Sequence, residues 1–241
     1  MKPRTTLVLT CAAALLASAC DSKESGAAPD PVTRDETALK RDMPILPVSR
    51  GDTWVYEVDL EIPEDVTSAG AAEVRTKYRR TRKYLGKLAA AAGLPETDCF
   101  EVVVTGSPDE REFVEIQDDR ILIRGALIMR PETTKPLWLD PPVPFVIAGM
   151  QAGDTLPGLQ TADGSLARNT EVIAREDVTV PAGTFSCVRL LTTGSDGDLE
   201  LRRTIWFAPG KGIIREEKSR TRGGKTVFRE THELTGMTKA Q

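Results

Sequence analysis

Histidine is nearly absent from this chain: His232 is the one such residue in 241. Cysteine occurs four times, with no CxxC pair. Zinc sites need several Cys or His ligands at suitable spacing, so none is expected. A lone histidine can serve a Ser-His-Asp triad, but no nucleophile elbow accompanies it. The stretch "DGSLARNTE" from Asp163 has Arg168 where a calcium loop requires glycine. No metal, no cofactor and no catalytic residue is therefore expected, although abundant carboxylates leave a glycosidase pair open. A basic surplus is also missing. The formal charge of −4 argues against nucleic acid, whose binding needs a cationic face. Long apolar runs are missing too. Leu7 to Ala17 is the main one, about 11 residues against the roughly 20 a helical span requires.

That short run is a processing signal. Lys2 and Arg4 precede it, and small residues follow at Ala17, Ser18 and Ala19. The ending "LASAC" resembles a bacterial lipoprotein signal, with Ala17 where leucine is usual. The resemblance implies cleavage after residue 19 and lipidation of Cys20. It also implies a bilayer as partner through palmitate-type acyl chains, and an envelope location facing the periplasm. Asp21 in that setting implies retention at the inner membrane. Two or more acyl chains hold a protein stably on a bilayer. Residues 20–47 then read as a flexible tether, poor in large apolar residues.

The remainder reads as strands. In "GDTWVYEVDL", Trp54, Tyr56, Val58 and Leu60 share one face by twofold alternation. The order also repeats. "GDT" occurs at Gly51 and Gly153, "CFEVVVTGS" begins at Cys99, and "CVRLLTTGS" begins at Cys187. A glutamate follows each cysteine by thirteen residues, at Glu112 and Glu200. This spacing predicts two related antiparallel meanders over 48–130 and 150–235, either as two lobes or as one pseudo-symmetric sheet. Between them, 131–149 is a Pro-rich packed connector, whose prolines exclude a central strand and an ordinary helix. A short tail, 236–241, ends the chain.

Residues 71–92 fit either helix or strand spacing, and the repeat favours strand. "YLGKLAAAAGLPETDC" takes the place of "VIAREDVTVPAGTFSC", whose Val178, Val180 and Pro181 disfavour helix. The basic residues here, among them Arg75, Lys77, Arg79, Arg80 and Arg82, read as a solvated strand face balanced by residues such as Asp109, Glu110 and Glu112. Anionic headgroups or an acidic partner are the alternative. "TIWFAPGKGIIREE" contains glycines around Lys211 but no hydroxyl residue and no helix start. It is a hairpin turn, so no nucleotide is expected.

Three tryptophans, Trp54, Trp138 and Trp206, are either core or walls of a ligand cleft. Cys99 and Cys187 are either bridged or two separate buried thiols, since a bridge needs alpha carbons within roughly 7 Å. His232 shares a strand face with Phe228, Glu230 and Leu234 and is expected to be partly exposed. The pieces "GDTWVYEV", "VPAGTFSCVRL" and "WFAPGKGIIREE" resemble uncharacterised bacterial envelope lipoproteins of a domain-of-unknown-function family. The resemblance covers mainly 48–234 and is strongest from Thr170. Lys211 stands where that family often has a small or apolar residue. It implies a curved antiparallel sheet, loosely similar to half-barrel carriers that hold acyl chains, and no catalytic residue. The functional expectation is a non-enzymatic module binding a lipid, another apolar ligand or an envelope protein. The rivals are an assembly factor and an envelope-polymer hydrolase.

Overall fold

The computed structural model describes residues 44–63, 74–107, 109–129, 136–160 and 166–240. The signal segment, Cys20 and most of the tether lie outside the described residues. Strands β1 (Thr53–Ile62), β2 (Val74–Ala89), β3 (Glu96–Val104), β4 (Glu110–Ile116), β5 (Arg120–Ile128) and β6 (Leu137–Ile147) form one antiparallel meander. Strands β7 (Thr155–Gln160), β8 (Leu166–Val180), β9 (Gly183–Asp196), β10 (Leu199–Ala208), β11 (Gly212–Arg222) and β12 (Lys225–Thr238) form a second. β12 returns to pair with β1, giving a 12-stranded sheet in the order β6-β5-β4-β3-β2-β1-β12-β11-β10-β9-β8-β7. The end strands β6 and β7 approach each other without forming a ladder. The sheet is thus an almost closed barrel with one unsealed seam.

The two meanders begin alike. In each GDT turn the aspartate carboxylate accepts from a backbone N–H three residues earlier, Ser49 at 2.9 Å and Gln151 at 2.7 Å. Gly51 N and Gly153 N donate at 2.8 Å to Tyr84 O and Val172 O, and the amides of those two residues bond back to Asp52 and Asp154. A bulge follows at the same place in both copies, at Leu85 in β2 and Ile173 in β8. An extra residue there bends the strand and sharpens its twist, which helps the sheet curl. The equivalence stops at the next hairpin. Glu112 pairs with Phe100, whereas Glu200 pairs with Ser195, so the two glutamates occupy different places.

Residues 74–89 are strand β2, as the repeat predicted. The connector contains strand β6, with Pro141, Pro142 and Pro144 tolerated because it lies at the sheet edge. The tether ends earlier than its composition suggested. Ile45 and Leu46 are buried, Ile45 N donates to Asp118 O at 2.9 Å, and Ile45 O accepts from Gly210 N at 2.8 Å. Gly210 and Gly212 adopt positive φ in the turn between β10 and β11, as the hairpin reading requires. The core contains Trp54, Tyr56, Phe100, Leu190, Ile205 and Phe207.

Candidate functional site

The concave face encloses a cavity of about 550 Å³. That lies within the roughly 300–1,000 Å³ of small-molecule sites. Its apolar wall is Phe100, Val114, Ile121, Leu190, Ile205 and Phe207. Another part of its wall is charged, and there Arg80, Arg82, Arg168, Arg203, Lys218 and Arg220 outnumber Glu110, Glu112, Glu216 and Glu230. An acidic protein therefore turns a cationic surplus inward.

Strand geometry explains how charges reach the inside. Tyr78, Arg80 and Arg82 alternate on one face of β2, as do Phe228, Glu230 and His232 on β12. On β11 a bulge at Ile214 shifts the alternation. Ile213 pairs with Phe207, then Glu216 with Ile205 and Lys218 with Arg203. Strict alternation from Ile213 would have brought Arg215 and Glu217 inward instead.

Glu216, only 2% exposed, is the hub. Arg203 Nε donates to its Oε1, Lys218 Nζ lies 3.3 Å from Oε2, and Arg80 lies 3.5 Å from Oε2. Burial acts to raise its pKa, but Arg203, Lys218, His232 and Arg80 outweigh burial and hold it far below the usual carboxylate range. Glu112 accepts from Arg80 Nη2 at 3.0 Å and from Arg82 Nε at 2.8 Å. Burial is again outweighed, here by Arg82 and Arg80, and its pKa falls. Arg82 also stacks 3.6 Å over the Phe100 ring. Glu110 differs: burial and then the Glu112 charge push its pKa up.

His232 is 2% exposed, which corrects the expectation of a partly exposed residue. Its position on β12, paired with Glu216 and Val58, carries it inside the sheet. Arg80 Nη1 lies 3.1 Å from Nδ1. Arginine only donates, so Nδ1 accepts and the proton sits on Nε2. Burial depresses the His232 pKa against the pull of Glu230 and Glu216, which fits a neutral ring. Nε2 lies 2.8 Å from Glu230 Oε2, in angled contact with that carboxylate. Glu230 also accepts from Tyr78 Oη and, at 3.3 Å, from Lys218 Nζ. Its pKa falls to about 2, burial being outweighed by His232, Lys218 and Tyr78.

None of the three tryptophans lines the cavity. Trp54 is core, packs edge-on to Phe100 at 5.8 Å and donates to Lys211 O at 2.7 Å. Trp206 donates to Glu176 Oε1 at 2.7 Å, with Arg215 stacked 5.2 Å from its ring. Trp138 on β6 meets Phe113 at 6.1 Å. Cys99 on β3 and Cys187 on β9 are separate, buried free thiols. The basic segment splits by parity: Lys77 pairs with Glu57 outside at 3.2 Å, while Arg80 and Arg82 point inward to Glu112. Sequence reading placed these arginines on a solvated face balanced by nearby acidic residues, of which Glu112 is the partner of Arg80 and Arg82. The alternation on β12 was read, but not that this face, with Tyr78, Arg80 and Arg82 on β2, turns inward.

No family model and no curated protein matches the chain. Among solved structures, a candidate exported protein with a YmcC-like fold from Bacteroides fragilis is similar. It shares 13% identity and a TM-score of 0.47, over 82% of this chain and 100% of that one. A candidate lipoprotein from Parabacteroides distasonis also shares 13% identity and a TM-score of 0.47, over 81% of this chain and 99% of that one. Likeness at this level carries no inference about activity.

Proposed function

We propose that the protein is a lipid-anchored envelope module that takes a lipid or similar apolar ligand into the concave face of its sheet, without catalysis. The cavity supports this reading. It joins an apolar wall to a charged one beside an unsealed seam, so a ligand can part the end strands without breaking a ladder. Glu112, Glu216 and Glu230 are held ionised by cations, so a hydrolase would have Glu110 alone as the carboxylate with the raised pKa that a general acid needs.

Native mass spectrometry of the gently purified full chain tests the proposal. The expected result is one apolar molecule bound per chain. Ile205→Trp, which fills the cavity wall, should abolish uptake of a fluorescent fatty acid. Recovery of empty protein that also fails to take up the probe would overturn the reading.

A further inference from the structure

The charged end of the cavity is uneven. Arg168 on β8, Gly194 on β9, Leu201 on β10 and Arg220 on β11 occupy one row across the sheet. Gly194 contributes no side chain, so Leu201 is the one side chain in the row between the two arginines. Arg203 stands in the next row inward, paired with Thr192 and Lys218. Thr192 and Thr170 exchange a hydroxyl hydrogen bond of 2.8 Å there.

Arg203 and Lys218 are engaged by Glu216. Arg168 and Arg220 have no ion-pair partner among the described residues. Arg220 lies 5.4 Å from the Phe228 ring. Burial of part of the side chain, with Arg203 and Arg220 close by, pushes the Arg168 pKa down against the pull of Asp196. Guanidinium groups crowded together suit an anion, because each donates a fork of hydrogen bonds to carboxylate or phosphate oxygens.

We infer that the cavity selects an amphiphile with an anionic head, carboxylate or phosphate, held by Arg168 and Arg220 with Arg203 behind them. The chain then lies along Leu190, Ile205 and Phe207. This inference rests on the apolar-ligand reading and narrows it.

Four probes test it on the full chain carrying Cys20→Ala: hexadecyl phosphate, palmitate, the neutral monopalmitin and inorganic phosphate. The two anionic amphiphiles should bind at least about tenfold more tightly than monopalmitin. The double substitution Arg168→Ala/Arg220→Ala removes both guanidinium groups. It should remove most of that preference, read as the ratio of hexadecyl phosphate to monopalmitin affinity. Inorganic phosphate should bind far more weakly than hexadecyl phosphate, because it lacks the chain. Equal affinity for charged and neutral heads would overturn the inference and leave apolar binding standing. So would a preference that survives the double substitution. Inorganic phosphate binding as tightly as hexadecyl phosphate would overturn it in favour of a free-anion site. Binding of none of the probes would overturn both readings.

Discussion

At the scale of single residues, Glu216 and His232 decide how the interior tolerates charge. Glu216→Gln keeps the shape but leaves Arg203, Lys218 and Arg80 without their shared anion. Breaking a buried pair from one side costs about 3–5 kcal/mol, a loss that denaturant unfolding would register. Acid should act in the same direction. His232 has a depressed folded pKa, so below its unfolded value of about 6.5 the unfolded chain binds the proton more readily. Glu112, Glu216 and Glu230 are also depressed, and their contribution is lost as pH falls from about 4.5 through their folded values. Glu110, whose pKa is raised, opposes them but is one group against four. Urea midpoints should therefore fall from pH 7.5 to 6 and fall again to 4.5, and a flat profile would contradict the buried network. The thiols provide a separate check. Burial raises Cys99 to about 11 and Cys187 to about 12, so neither should be alkylated in the folded protein at pH 8. Both should react in urea without reductant, whereas a bridged pair would stay silent.

At the scale of elements, the repeat is a repeat of turns and bulges more than of side chains. The GDT aspartates show this. Asp154 serves its own turn and is exposed, whereas Asp52 is 1% exposed and also holds Lys239 Nζ and Ala240 N, each at 2.8 Å. Asp52→Ala removes a buried carboxylate that ties Ser49 N, Lys239 Nζ and Ala240 N together and should cost about 1–3 kcal/mol, against less than about 1 kcal/mol for Asp154→Ala. Equal losses in thermal unfolding would mean that the C-terminal contacts add nothing. Gly125 on β5 gives a second element-level test. A Cβ there would stand 2.0 Å from Leu137 O across the β5–β6 pair. Gly125→Ala should displace β6 and speed amide exchange in 137–147, leaving β10 and β11 protected.

For the whole molecule, β1 and β12 are the one joint between the meanders, and β6 and β7 are the ends. Amide protection should therefore be highest around β1, β12 and β11 and lowest at β6 and β7. An order with the edges most protected would mean that the seam is sealed in solution. Much of this architecture was legible in the sequence. Alternation announced Trp54, Tyr56 and Val58 as one buried face, and the paired GDT and Cys-to-TGS spacings announced two meanders. The charged interior was harder to read. Single bulges at Leu85, Ile173 and Ile214 change which residues face inward, and composition does not mark them. Buried carboxylates also contradict the habit of assigning charge to solvent, until the arginines opposite them are known. The prolines of the seam have one more consequence. Pro141, Pro142 and Pro144 on β6 and Pro157 on β7 withhold the N–H donors that a second molecule would use to extend the sheet. Many copies can then crowd together without fusing into fibres.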